Sequence, residues 1–202
     1  DAFGKSESFP GLAIMQRTGG WDSEVIRRPY RGGGYTSIAA QWWGVLVRPP
    51  STEERWLYDS LATYSDFLFY KGRPKEKRWA RDMYDGWKLM CEWSEGAGSI
   101  YMADHLRKRG RRGGNRYLKY GRGPMMIHAI AREIGEDNLI RAMSLFVQRH
   151  AMGFAGSQDF LDVLNEVSGR DISGFFERWL YGTTTPDIPP FELKEKVSRK
   201  FR

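Results

Sequence analysis

Three histidines, one cysteine and a dense run of basic side chains are the residues of this 202-residue chain whose types could do chemistry. Histidines at i and i+4 on a helix would point to a metal, and a cysteine beside a histidine to nucleophilic catalysis. Neither pattern occurs. His105 lies in the basic run, while His128 and His150 fall in helical stretches, and none has metal-ligand spacing to another. His150 comes near a helix C-terminus, where a cation suits the helix dipole. Cys91, close to Met90 and Trp93, reads as core packing. A lone cysteine also excludes an intrachain disulfide framework and a zinc site built mainly of thiolates.

The basic run has two readings. Lys and Arg number 32 against 25 acids, a formal +7, and residues 71–119 alone hold fourteen basic and six acidic side chains. Within them Arg107, Lys108, Arg109, Arg111, Arg112, Arg116 and Lys119 follow one another with no acid, interleaved with Gly110, Gly113 and Gly114. Such a run can grip phosphates by charge alone. It can equally be a solvated loop that keeps the domain soluble, and no recognition-helix or RNA-binding signature accompanies it. The solvated loop is the expectation, with nucleic acid as the alternative partner.

The elements that must position these residues follow from apolar spacing. Aromatics make up 14% of the chain, too much for a disordered polymer. No apolar run approaches the roughly 20 residues that cross a bilayer. Residues 1–34 are rich in Gly, Pro and Ser and read as loops around one or two strands, with one apolar run at 12–15; Gly32, Gly33 and Gly34 should interrupt regular structure. A buried helix is predicted over 35–46, then a turn at Pro49 and Pro50. Ser51 and Glu54 fit a capping box opening a helix to about 70. An amphipathic helix spans 75–93, and the basic run after it is loop or weak helix. Pro124 suits a first helical position and Gly135 a stop. Leu139, Ile140, Met143, Phe146 and Val147 repeat with helical spacing. So do Phe160, Leu161, Leu164 and Val167 after a Ser157 cap, and then Ile172, Phe175, Phe176 and Trp179. Beyond Thr183 the chain turns extended.

One stretch carries a resemblance. Tyr35-Thr36-Ser37-Ile38-Ala39-Ala40-Gln41-Trp42-Trp43-Gly44, followed by Trp56-Leu57-Tyr58-Asp59-Ser60-Leu61-Ala62-Thr63-Tyr64, resembles the core of the aminopeptidase N family of zinc metallopeptidases (gluzincins). That family carries H-E-x-x-H, then Q-W-W-G, then a Glu within W-L-N-E-G-x-A-x-Y. In register with Gln41-Trp42-Trp43-Gly44, the first His position is Thr36, the catalytic Glu position Ser37 and the second His position Ala40. With eighteen residues intervening, Asp59 takes the place of the third zinc ligand. Tyr120-Gly121-Arg122-Gly123-Pro124 resembles the family's Y-x-K-G-A segment, whose tyrosine stabilises the tetrahedral intermediate. Gly169-Arg170-Asp171, Phe175-Phe176 and Trp179-Leu180 are similar to its G-x-D, F-F and W-L ending.

The resemblance covers roughly residues 35–190 and implies a thermolysin-like α+β domain that is mostly helical, with a small N-terminal β part. Residues 1–34 would be the β and loop part of that domain, 71–119 a basic insert and 191–202 a charged tail. The resemblance also implies a larger parent protein, since the family's flanking domains have no counterpart here; an extracytoplasmic setting is the expectation. It implies little chemistry. Zinc takes two imidazole nitrogens and a carboxylate and leaves a place for water, whose proton the neighbouring Glu accepts. Thr36 and Ala40 offer no imidazole, Ser37 is no base near neutral pH, and Asp59 is a methylene shorter. Ser37 and Tyr120 would thus be vestigial catalytic positions, and Thr36, Ala40 and Asp59 vestigial ligand positions, with no cofactor expected where active relatives hold zinc.

The family's G-x-M-E-N amine-binding segment has no counterpart in Lys5-Ser6-Glu7-Ser8-Phe9 unless Glu7 serves by a one-residue slip. Glu7, Trp42, Trp43 and Tyr120 are the candidate cleft residues, although the two tryptophans read first as core. Three functions compete. The first is a non-catalytic domain that binds peptide or protein or serves as a scaffold. The second is an active hydrolase with atypical ligands, using Asp59 and Tyr120. The third is a nucleic-acid or assembly module working through the basic run.

Overall fold

The segment 55–72 is apolar around most of its circumference, which a helix tolerates only where neighbours cover it on several sides. In the computed structural model, which describes residues 7–9, 12–14, 33–108 and 114–191, this segment is the central helix. In chain order the elements are β1 (Glu7–Phe9), β2 (Leu12–Ile14), α1 (Gly33–Ala39), α2 (Arg55–Gly72), α3 (Lys77–Trp93), α4 (Ala103–Lys108) and α5 (Gly114–Tyr117). A π-helical turn (Leu118–Arg122) follows, then α6 (Gly123–Ile134), α7 (Glu136–His150), α8 (Ser157–Ser168) and α9 (Ser173–Tyr181). The chain is mostly helical. Helix α2 touches α1, α3, α4, α6 and the π turn, and α7 packs on α6 and α8. Strands β1 and β2 pair antiparallel, Ser8 opposite Ala13.

Trp56, Leu57, Tyr64 and Phe67 of α2 are buried, with Trp87 of α3, Ile127 and Ile130 of α6, Phe146 of α7, Phe160 of α8 and Trp179 of α9. At the centre the rings of Tyr64, Phe67 and Trp87 lie 5.1–6.2 Å apart. Phe191, the first residue assigned to the tail, packs on this group, 5.2 Å from Tyr84 and 6.1 Å from Phe67. The rest of the tail, like most of residues 1–32 and residues 109–113 of the basic run, lies outside the described residues.

Several local expectations are corrected. The first helix begins at Gly33, within the glycine triplet that should have broken it, and ends at Ala39 rather than 46. Packing of buried Ser37 and Ala39 outweighs the roughly 1 kcal/mol that a helical glycine costs. Gly44, at φ +114°, then reverses the chain, its N–H donating to Val47 O at 2.9 Å. Glu54 makes no capping bond to its own helix. Its carboxylate instead accepts from the N–H of Ser157 (2.8 Å) and from the Ser157 hydroxyl, so it caps α8, whose start draws negative charge. Ser157 is accordingly the first residue of α8, with Gly156 as its cap. Pro124 sits in the first turn of α6, as expected, and that helix follows the π turn without a break, so the hydrogen-bond register shifts where the proline N–H is missing. Gly135, at φ +90°, ends that run as expected.

Candidate functional site

Thr36 and Ala40 lie one turn apart, joined by Ala40 N–H donating to Thr36 O at 2.9 Å, which places them on one face. The Thr36 hydroxyl donates to Asp66 Oδ2 of α2 at 2.9 Å, and Trp43 Nε1 donates to Ser65 Oγ at 3.0 Å. These bonds tie α1 and the turn that follows it to α2. Asp59 stands seven residues before Asp66, two turns along the same side of α2. Ser37 is buried. Asp66 was missed by sequence reasoning. It is 1% exposed, its Oδ1 has no hydrogen-bond partner among the described residues, and burial pushes its carboxyl up to about 7, with the Thr36 bond opposing. Its one sequence signal is an acid inside the apolar stretch 61–69.

Asp59 is not a free carboxylate. The Lys119 Nζ lies 2.6 Å from Asp59 Oδ2, and 3.1 and 3.2 Å from the two oxygens of Asp104. Part of the Asp59 side chain remains at the surface, but Oδ2 is turned inward and shut off from solvent. Burial pushes the Asp59 carboxyl above its ordinary range, and the Lys119 ammonium pulls it back. Lys119 itself is 5% exposed. The expectation of a solvated basic loop therefore fails at this residue. The π turn carries its side chain inward because Gly121 and Gly123 let the turn approach α3 and α2. A Cβ at Gly121 would meet Met90 Cβ at 2.2 Å, and one at Gly123 would meet Ser60 Oγ at 2.1 Å. Tyr120 is half-buried in the same turn.

The remaining candidates are scattered. His105 is on α4, its Nε2 2.7 Å from Glu53 Oε1, rather than in a loop. His128 is 3% exposed among the rings of Tyr64, Phe67 and Tyr84. Its basicity is pushed down to about 4, first by burial and then by the Lys71 ammonium, with the Pro190 carbonyl opposing. His150 leans on the Phe146 ring at 5.0 Å. Cys91 is buried, and burial pushes its thiol up to about 12, too weak an acid for a nucleophile at neutral pH. Among the described residues no group of three or more His, Cys, Asp and Glu could hold a metal ion. Trp43 is core, as expected, but Trp42 is 48% exposed because the helix ends before it. An apolar cleft of about 380 Å³ opens there, lined by Ala39, Trp42, Trp43, Met143 and Val147 among others. The side chain of Glu7 lies outside the described residues.

This arrangement of helices is that of the zinc metallopeptidases of the M1 type. An M1 zinc metallopeptidase from Deinococcus radiodurans, in a variant bound to a Tyr-Ser-Ala substrate, superposes with a TM-score of 0.61 at 19% identity, over 84% of this chain and 35% of that one. A second crystal structure of that organism's M1 zinc metallopeptidase gives 0.53 at 18% identity, over 77% of this chain and 33% of the other. The model of the peptidase family M1 domain matches residues 37–179, and the chain belongs to that family. Among individual relatives, aminopeptidase N of Lactococcus lactis is 22% identical over 71% of this chain, and the alanine/arginine aminopeptidase of Saccharomyces cerevisiae is 24% identical over 80%. The chain spans only 17% and 19% of the length of those two proteins.

Proposed function

We propose that this chain is a non-catalytic aminopeptidase N-like domain of a larger protein, with a peptide-binding or scaffolding role. One observation carries the reading: the single carboxylate left at the ligand positions, Asp59, faces the Lys119 ammonium at 2.6 Å. The residues present do not suit zinc. Thr36 and Ala40 bring no nitrogen, the Thr36 hydroxyl is engaged by Asp66, and Asp59 is engaged by a cation. Ser37 is no proton acceptor for a bound water, so no hydrolytic step is written through this site. A peptide or protein partner is supported by Trp42 and by Ile38, 42% exposed, beside the apolar cleft. Strands β1 and β2 would belong to the small N-terminal β part, with Glu7 on its first strand.

Metal content together with hydrolysis of aminoacyl substrates tests this reading on the purified full chain. Less than a tenth of a zinc ion per chain and no turnover above a buffer blank are expected at about micromolar protein. Stoichiometric zinc with cleavage that is lost in Asp59→Ala and Tyr120→Phe would establish the active alternative instead.

A further inference from the structure

Resting on the reading just given, we infer that Lys119 is a built-in replacement for the metal: its ammonium takes over the neutralisation of Asp59 and closes the site to divalent cations. A carboxylate brought to a metal site needs positive charge beside it once solvent is withdrawn. Here that charge is supplied by the chain. Lys119 is buried, and its ammonium is shared by Asp59 and Asp104, at 2.6 Å and 3.1 Å. The delivery is geometrically specific. The π turn adds a residue to the helical repeat, Ser60 Oγ donates to Lys119 O at 3.5 Å, and the two glycines remove the side chains that would hold the turn away from α2 and α3. Arg55, one turn before Asp59 on α2, adds to the positive field there. A divalent ion would have to expel the ammonium from its two carboxylates and then tolerate it nearby. Loss of the imidazoles is therefore only half of the change; a restored ligand set would meet an occupied electrostatic position.

The test restores the ligands with and without the lysine. Thr36→His, Ser37→Glu, Ala40→His and Asp59→Glu are made together in the full chain, then combined with Lys119→Met and Asp104→Asn, which remove the ammonium and its second partner at once. Zinc uptake is read by equilibrium dialysis with elemental analysis, cobalt uptake by visible absorption, and folding by circular dichroism. The four-residue variant is expected to bind zinc on the order of 10–100-fold more weakly than the six-residue variant. Lys119→Arg in the four-residue background should leave binding weak. Should the six-residue variant fail to fold, Lys119→Gln in the four-residue background takes its place. Equal zinc affinity with and without Lys119 would overturn the inference, as would a folded six-residue variant that takes up no metal. Zinc in the unaltered chain would instead sink the non-catalytic reading, so the two failures are told apart.

Discussion

The cluster between α1, α2 and the π turn and the aromatic centre on the same stretch of α2 bury polar groups by opposite means. In the first, each acid has a polar side chain beside it: Lys119 lies between Asp59 and Asp104, and Thr36 donates to Asp66. In the second, His128 is enclosed by rings, and neither nitrogen makes a well-aligned hydrogen bond among the described residues, although the Pro190 carbonyl is near enough to favour the protonated form. Burial acts on both with opposite signs, raising the Asp66 acid to about 7 and lowering the His128 base to about 4. The comparison teaches why the two regions are constrained differently. A polar position needs only a compensating partner, which can come from any neighbouring element. A packed aromatic position is constrained by volume on every side.

The largest effect should come from the packed side. Phe67→Ala, which removes a ring with no exposure at the centre of the core, is expected to cost about 4 kcal/mol in urea unfolding. Lys119→Met should cost about 3 kcal/mol, because it removes the ammonium that two mostly buried carboxylates share, while the triple change Lys119→Met, Asp59→Asn, Asp104→Asn should recover most of that loss. A Lys119→Met loss larger than that of Phe67→Ala, with no recovery in the triple variant, would break the contrast.

The histidine gives a pH-dependent effect of similar or smaller size. Below pH 6.5 the unfolded chain takes up a proton at His128 that the folded chain refuses until about pH 4, so stability falls across that window and the loss is complete below it. The gap between the two values corresponds to about 3 kcal/mol. Asp66 works in the opposite sense, so the measurement is the difference between the unaltered chain and His128→Phe, followed by unfolding from pH 7 to pH 4. A difference that stays flat with pH would remove the claim. The smallest effect belongs to Glu54→Ala. Loss of the carboxylate that caps α8 should lower stability by about 1 kcal/mol, and hydrogen exchange should quicken first at Ser157 and its neighbours.

Legibility in the sequence followed the range of the interaction involved. The stripes of α7, α8 and α9 and the stop at Gly135 were readable because helical periodicity and a glycine at positive φ are local properties. Membership of the family was readable because the motif at Gln41-Trp42-Trp43-Gly44 is contiguous. The end of α1, the true target of Glu54 and the exposure of Trp42 were not, since each depends on which distant segment arrives alongside. Lys119 is the clearest case. In the sequence it closes a run of basic residues and carries no mark that separates it from Arg116, whereas in the fold the π turn and two glycines carry it to Asp59 and Asp104.

The order of residues by itself determined the helical frame and the family to which the chain belongs, because spacing and side-chain chemistry are written one residue at a time. Only the tertiary structure decided that Lys119 meets Asp59, because an ammonium and a carboxylate sixty residues apart meet through packing, and packing is set by the whole chain at once.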